Sequence, residues 1–354
     1  MSAARAPEAT LMFHEAAESC DAVARQFRAN DALTAELAQE LRSRPPPFIV
    51  TCARGSSDHA ATYAKYLFET QLGLMTVSAA PSVSSVYAAQ PHLKGALYLA
   101  ISQSGRSPDL VQHARMARAA GARIIALVNV VDSPLAQIAD RVLPLHAGPE
   151  RSVAATKSYI CALAAVLRLT AQWREDRQLL DASSALPQAL SDAWSLDWSA
   201  AVEVLIPARN LFVIARGLGL GIAQEAALKF KETCGLHAEA FSAAEVRHGP
   251  MALVGRDFPV LCFAQDDDTL GGMAGLVEDF RRRGARVLIA APGASLSSQA
   301  QRPADALPVA SPLHPTCTPI ATIQSFYRMA NALALARGRD PDLPPHLNKV
   351  TETL

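Results

Sequence analysis

The chain alternates between short apolar runs of strand length and longer amphipathic segments with helical period. This alternation is typical of parallel sheets whose strands are joined by crossover helices. The candidate strands are residues 48–52, 96–101, 123–129 and 141–145, followed by residues 211–215, 258–263, 286–290 and 306–309. The pattern therefore predicts an α/β protein with mainly parallel sheets flanked by helices.

The two sets of candidate strands are related by an internal repeat. The tripeptide Ala-Arg-Gly occurs at residues 53–55 and again at residues 215–217, an offset of 162, and the same offset relates residues 101–103 to residues 263–265. Ordered matches at one offset indicate two copies of one domain. We expect an N-terminal helical segment (1–44), a first copy (45–180), a helical linker (181–204), a second copy (205–338) and a C-terminal tail (339–354).

Composition and charge remove several functional classes. Lys+Arg and Asp+Glu both number 33, so no net positive field attracts nucleic acid or a membrane surface. No apolar run is long enough to cross a membrane and no signal peptide is visible, which favours a cytoplasmic location. The six cysteines lie far apart without metal-ligand spacing, so we expect no metal centre and no cofactor.

Hydroxyl-rich turns follow two predicted strands of the first copy, at residues 53–59 and 102–109. Ligands bind at the carboxyl ends of strands in open α/β sheets, and helix N-termini favour phosphate. Ser107 is also a natural N-cap, but capping does not explain the other hydroxyls. The candidate phosphate ligands are Ser56, Ser57, Ser102, Gln103, Ser104 and Ser107. The equivalent turns of the second copy have lost these hydroxyls and gained carboxylates, so we expect only the first copy to bind phosphate.

The second copy carries a candidate acid/base face. Glu225, Lys229 and Glu232 are spaced by four and three residues and project from one helical stripe. Such spacing is most often a solvated salt-bridged face, but this helix is otherwise apolar and further polar groups follow it. His248 precedes a Gly-Pro pair and therefore lies in a turn, and histidine exchanges protons near neutral pH. These residues are candidates for proton transfer.

Three separated motifs, at residues 101–105, 147–157 and 237–250, together resemble the SIS (sugar isomerase) domain proteins. More closely, the chain resembles the isomerase half of glucosamine-6-phosphate synthase and the stand-alone SIS-type glucosamine-6-phosphate deaminases. The resemblance covers roughly residues 13–354 in order. It implies two tandem SIS domains, each a flavodoxin-like three-layer sandwich.

The resemblance also implies contacts with a sugar phosphate. Ser107 stands where threonine is common in the family, a change that keeps the hydroxyl, and Val153 matches a residue whose backbone touches the sugar. The positions that match the family's phosphate-binding residues are Ser57, Ser102, Gln103, Ser104 and Ser107.

The catalytic positions are implied in the same way. Glu232 matches the carboxylate that moves a proton between C1 and C2 of the sugar. His248 matches the residue that assists ring opening, which the neighbouring subunit supplies in relatives, so we expect a homodimer. Lys349, in the tail, matches the lysine that meets the open-chain sugar, either as a Schiff base or through hydrogen bonds. Glu225 and Lys229 match charged positions that line the same pocket.

The implied reaction is the deaminating isomerisation of glucosamine 6-phosphate to fructose 6-phosphate and ammonia. The synthase carries a catalytic cysteine directly after its initiator methionine, whereas this chain has Ser2, so we expect no ammonia from glutamine. Two alternatives stay open. In the first, the substrate is another amino-sugar phosphate or a fructosamine phosphate. In the second, the chain is a non-catalytic sugar-phosphate sensor. A sensor of this kind would need a DNA-binding domain, which the roughly 45 residues before the first strand hardly accommodate.

Overall fold

A computed structural model of the chain describes residues 5–293, 305–311 and 314–349. The last residues of the predicted tail, 350–354, and Ser2 lie outside this range. The strands are β1 (Ile49–Cys52), β2 (Thr76–Ser78), β3 (Leu97–Ser102), β4 (Arg123–Val128), β5 (Arg141–Pro144), β6 (Asn210–Ala215), β7 (His237–Ser242), β8 (Pro259–Phe263), β9 (Arg286–Ala291) and β10 (Ala306–Pro308).

Helices connect these strands and flank them. They are α1 (Leu11–Ala17), α2 (Ser19–Ser43), α3 (Ser56–Leu72), α4 (Ser82–Ser85), α5 (Pro108–Ala119), α6 (Pro134–Ile138), α7 (Lys157–Arg174), α8 (Arg177–Ser195), α9 (Ser199–Leu205), α10 (Leu220–Cys234), α11 (Leu270–Arg282) and α12 (Thr318–Ala336). No helix in the described part of the chain has the length and apolar character needed to span a bilayer.

Two five-stranded sheets form the framework, and both are parallel throughout. Sheet 1 has the order β2-β1-β3-β4-β5, and sheet 2 has the order β10-β9-β8-β6-β7. When the five strands of each sheet are numbered in chain order, both sheets have the order 2-1-3-4-5, which is the flavodoxin-like order. The predicted fold class, two tandem α/β domains with parallel sheets, is confirmed.

The core of sheet 1 follows from the alternation of its side chains. Val50 and Cys52 of β1 pack with α5 and α6, whereas Ile49 is buried outside that cluster. Helices α3 and α7 pack against each other, and α3 also contacts β1 and β3. Helices therefore cover both faces of the sheet, and the carboxyl ends of its strands open onto the loops that carry the candidate phosphate ligands.

Sheet 2 is built in the same manner. Phe212 and Ile214 of β6 pack with Phe280 and its neighbours on α11, while α10 lies against β6 and β7 and also contacts α12. The described chain divides into two compact units. The sheet-1 unit contains Asp21–Glu150, Lys157–Ser184 and the residues from Leu347 on; the sheet-2 unit contains the residues up to Cys20, Arg151–Thr156 and Ala185–His346.

Two edge strands are absent from the sequence prediction. β2 is only three residues long, and β7 alternates exposed His237 and Glu239 with buried Ala238. β2 is too short, and β7 is too polar, to show as an apolar run in the sequence. Helix α5 begins at Pro108, directly after the predicted N-cap Ser107, and α3 begins at Ser56, which places Ser56 and Ser57 in its first turn.

Candidate active site

The turn between β3 and α5 carries four of the candidate phosphate ligands. Ser102 Oγ accepts a hydrogen bond from the amide of Gly105 at 3.0 Å, and Ser104 Oγ accepts from the amide of Arg106 at 3.3 Å. Ser107 occupies the N-cap position of α5, but its hydroxyl makes no capping hydrogen bond. Within the first turn of α5, Asp109 Oδ1 accepts from the amide of Leu110 at 2.8 Å. Ser107 thus lies at a helix N-terminus, a position that favours an anion, with its hydroxyl not used as a cap.

Glycine is required at the centre of this turn. Gly105 has φ 62°, and a Cβ at this position would lie 2.1 Å from Ser133 Oγ. A side chain here would be strained in its backbone and would also collide with the N-cap of α6. The turn consequently presents backbone amides rather than a side chain at its centre.

The second group of candidate ligands opens α3. Gly55 is the N-cap with φ 56° and ψ −134°, a conformation that side chains rarely adopt, and Ser56 and Ser57 are the first two helical residues. Burial raises the pKa of Asp58, the next residue, although His59 and Arg54 partly oppose that effect. β1 and β3 are adjacent parallel strands, with Cys52 paired to Ala100, so both turns leave the same edge of sheet 1.

An ion pair joins these two turns directly. Arg54, just before α3, donates from Nε and Nη2 to Asp109 Oδ2 at 2.9 and 2.8 Å. The Asp109 side chain, in the first turn of α5, is 1% exposed, whereas that of Arg54 is 50% exposed. The structure thus links the two turns that carry the predicted phosphate ligands through a pair that the sequence analysis did not identify.

The equivalent turn of sheet 2 is occupied by its own side chain. Thr269 is the N-cap of α11, as Ser107 is of α5. Asp267 Oδ1 accepts hydrogen bonds from the Thr269 amide at 2.9 Å and from Thr269 Oγ1 at 2.5 Å, and its other oxygen accepts from Gln265. A carboxylate of the chain therefore satisfies the groups that an external anion would otherwise contact.

The predicted acid/base residues of α10 form one charged cluster. Lys229 contacts Glu225 Oε1 at 3.4 Å and forms a short ion pair with Glu232 Oε2. Tyr327 of α12 donates its hydroxyl to Glu225 Oε1 at 3.1 Å. The Glu225 and Lys229 side chains are 0% and 1% exposed, whereas Glu232 is 19% exposed. Glu232 is therefore the member of the cluster that can reach a substrate.

Electrostatics favour the charged form of the central lysine. Burial alone would lower the pKa of Lys229, but the carboxylates of Glu225 and Glu232 outweigh it and raise the pKa above its ordinary value. Lys229 is therefore a buried cation paired with Glu232, and the cluster is not a solvated salt-bridged face.

His248 is not part of this cluster. It ends a 3-10 turn (Glu245–His248) after β7 and is exposed, and among the described residues no hydrogen bond or ion pair joins it to Glu225, Lys229 or Glu232. The expectation that a neighbouring subunit shares this histidine stays a prediction.

Val153 lies in a loop that an N-terminal helix fixes in place. Glu15 of α1 accepts a hydrogen bond from the amide of Ser152 at 3.1 Å and another from the amide of Arg151. Both amides directly precede Val153, and Glu15 is buried. The N-terminal helical segment therefore contributes a carboxylate that positions this loop. The apolar spacing of the segment does not predict this role.

The tail lysine is held by a buried carboxylate. Lys349 Nζ donates to Glu150 Oε2 at 3.0 Å, and the same carboxylate accepts from the amide and hydroxyl of Ser158 at 3.1 and 2.6 Å. Glu150 thus caps the start of α7 and also positions Lys349.

Within the described residues, no group of three or more His, Cys, Asp or Glu is arranged to hold a metal ion.

Comparison with known protein families is consistent with this architecture. The sequence model of the SIS domain matches residues 44–171 and again residues 204–335. The glutamine--fructose-6-phosphate aminotransferase (isomerizing) of Thermotoga maritima is 33% identical over 313 residues, which cover 85% of this chain and 50% of that protein. The chain spans about half the length of the curated relatives it matches.

Solved structures give the same picture. A protein of Silicibacter pomeroyi DSS-3, described provisionally as a phosphosugar isomerase, is 42% identical with a TM-score of 0.87, and the match covers 94% of this chain and all of that one. A glucosamine-6-phosphate deaminase of Thermotoga maritima has a TM-score of 0.75 over 97% of this chain and 100% of that one. At 20% identity, the second likeness shows a shared fold alone.

Proposed function

Because the chain belongs to the SIS domain family, we propose that it is an enzyme of phosphorylated amino sugars that converts glucosamine 6-phosphate and water into fructose 6-phosphate and ammonia. Its relative from Thermotoga maritima, a glutamine--fructose-6-phosphate aminotransferase (isomerizing), supports this class of substrate. The hydroxyls of the turn after β3, which lies at the N-terminus of α5, support the choice of a phosphorylated sugar.

The observation that carries the proposal is the charge cluster on α10. A solvated surface pair would leave its lysine in water, whereas Lys229 is buried between Glu225 and Glu232. Burying the charges of Glu225 and Lys229 is costly unless they are paired, and buried charged groups gather at functional sites. Glu232, partly exposed and held by a buried cation, is suited to accept and return a proton.

The proposed reaction starts with phosphate binding by the turns of sheet 1, which fixes one end of the sugar. His248 assists opening of the pyranose ring to the C1 aldehyde. The C2 hydrogen is then acidic enough for Glu232 to remove it as a proton and deliver it to C1. A proton also passes from the amino group to the C1 oxygen, which leaves an imine at C2 and a hydroxyl at C1. Water adds to this imine and ammonia leaves, giving fructose 6-phosphate. Lys349 contributes positive charge toward oxygens of the open chain.

The test is an assay of the purified chain with a panel of phosphorylated sugars. The panel contains glucosamine 6-phosphate, galactosamine 6-phosphate, a fructosamine phosphate and unphosphorylated glucosamine. We expect equal amounts of ammonium and ketose phosphate from glucosamine 6-phosphate, and no turnover of glucosamine. Preferential turnover of another phosphorylated substrate would reassign the substrate. Binding without turnover of any member would favour a sugar-phosphate sensor.

A further inference from the structure

We propose that Arg54 and Asp109 are a positioning pair for phosphate binding, in which Arg54 cancels the charge of Asp109 and ties together the two turns that carry the phosphate-binding serines. This inference rests on the proposed function, because it concerns the site at which the sugar phosphate would bind. It adds two residues for which neither the resemblance nor the motifs gave a role.

The first argument is geometric. Arg54 stands two residues before Ser56, and Asp109 stands two residues after Ser107. Both N–H groups on one edge of the guanidinium point at a single carboxylate oxygen, at 2.9 and 2.8 Å. The pair therefore links the segment before α3 to the first turn of α5, which are the two places where the candidate serines lie.

The second argument is electrostatic. The Asp109 side chain is 1% exposed, so water screens its charge poorly. A phosphate bound by Ser107 and its neighbours would face this carboxylate at short range, and like charges in a poorly screened site repel strongly. Arg54 removes that repulsion. Arg54 also favours the charged form of Asp58, whose pKa burial raises, so one arginine serves two carboxylates at these turns.

The third argument comes from the other copy. The internal repeat places Arg216 where the first copy has Arg54, and it places Gly271 where the first copy has Asp109. Among the described residues, no carboxylate forms an ion pair with Arg216. The paired carboxylate is thus present in the copy whose turn is open to an anion and absent from the copy whose turn is filled by Asp267.

The test measures binding of fructose 6-phosphate and of inorganic phosphate by calorimetry. Arg54→Gln leaves Asp109 charged and unpaired, and we expect it to weaken both ligands about tenfold. Adding Asp109→Asn in the same chain removes the repulsive charge, and we expect affinity within about threefold of the parent. Arg54→Lys keeps the charge and should fall between these two.

A matched control is Arg141→Gln. Arg141 also uses Nε and Nη2 on carboxylates, those of Glu40 and Glu36, but it lies at the amino end of β5. We expect this variant to bind both ligands like the parent. The turnover number at saturating substrate should stay within about twofold in Arg54→Gln, because a positioning role for phosphate acts on KM.

Three results would overturn the inference. Unchanged affinity in Arg54→Gln would show that the pair does not serve phosphate binding. A double variant as weak as Arg54→Gln would show that charge cancellation plays no part. Equal weakening in Arg141→Gln would point to a general loss of stability. If the parent itself fails to bind fructose 6-phosphate, the proposed function fails, which is a different outcome from a parent that binds and an Arg54 variant that binds equally well.

Discussion

The turn after β3 and the turn after β8 are the same element in two copies, yet their hydrogen bonding differs. In sheet 1, Gly105 lies at the centre of the turn and the Ser107 hydroxyl makes no capping hydrogen bond, while Asp109 Oδ1 accepts from the Leu110 amide at 2.8 Å. In sheet 2, Asp267 at the equivalent position hydrogen-bonds the amide and hydroxyl of Thr269. At this position the turn of sheet 2 therefore has a carboxylate bound to its N-cap residue, whereas the turn of sheet 1, which we propose binds phosphate, has no side chain.

The helices that follow the first strand of each copy, α3 and α10, also differ in the side chains that they bury. Tyr63 and Leu67 of α3 occupy the positions that Glu225 and Lys229 occupy on α10, and all four are buried. Both helices end at a glycine with positive φ, Gly73 and Gly235. The side chains at these buried positions are apolar in the first copy and charged in the second. In the proposed function, the second copy accordingly supplies the proton-transfer groups and the first copy the phosphate-binding groups.

The largest expected effect comes from breaking the buried cluster of α10. Lys229→Met leaves Glu225 charged in a site that is 0% exposed, and we expect a loss of about 3–5 kcal/mol in the free energy of unfolding. The double variant Lys229→Met/Glu225→Gln should recover a large part of this loss. Denaturant unfolding followed by circular dichroism measures both.

The control for that experiment is the exposed pair on the equivalent helix. Lys65 and Glu69 of α3 are also four residues apart, at 2.9 Å, but are 41% and 36% exposed. We expect Lys65→Met to cost less than about 1 kcal/mol. Similar losses in the two lysine variants would mean that the two copies do not differ in the way described.

The next effect concerns the open turn. Ser104→Ala combined with Ser107→Ala removes two hydroxyl donors, and hydrogen bonds to a charged group each contribute about 1.5–3 kcal/mol. We therefore expect KM for glucosamine 6-phosphate to rise about a hundredfold while kcat stays near the parent value. Steady-state kinetics measure the split, and Ser43→Ala, at the exposed end of α2, is the control. A fall in kcat at unchanged KM would contradict the assignment.

The smallest effect concerns the filled turn. Asp267→Ala removes a cap from α11 and should cost about 1 kcal/mol of stability. In the Ser104→Ala/Ser107→Ala background, we expect this change to create weak, roughly millimolar binding of inorganic phosphate at the start of α11. Titration calorimetry detects it. If no binding arises, the carboxylate of Asp267 is not what closes this turn.

Much of this division could be predicted from local sequence. All the described strands except β2 and β7 show as apolar runs, and the spacing of Glu225, Lys229 and Glu232 places them on one stripe of a helix. The hydroxyls of the open turn follow a buried strand directly. Each of these signals lies within a few residues, where helical and strand periodicity determine which side chains share a face.

Contacts between distant residues could not be predicted in this way. Arg54 and Asp109 are 55 residues apart, and Lys349 and Glu150 are 199 apart. Their pairing depends on which strands are neighbours and on where the tail runs, which periodicity does not report. The edge strand β7 was missed for a related reason, because its alternation of exposed and buried residues is short and carries charged side chains.

The most direct test of the division between the two copies is to measure binding and proton transfer separately in Glu232→Gln. The exchange of a sugar hydrogen with deuterated water reports proton transfer, and calorimetry with fructose 6-phosphate reports binding; Glu278→Gln, an exposed glutamate on α11, is the control. We predict that Glu232→Gln lowers exchange about 10³-fold while the affinity stays within about twofold of the parent. Persistent exchange, or loss of binding together with exchange, would contradict the assignment of proton transfer to the second copy and phosphate binding to the first.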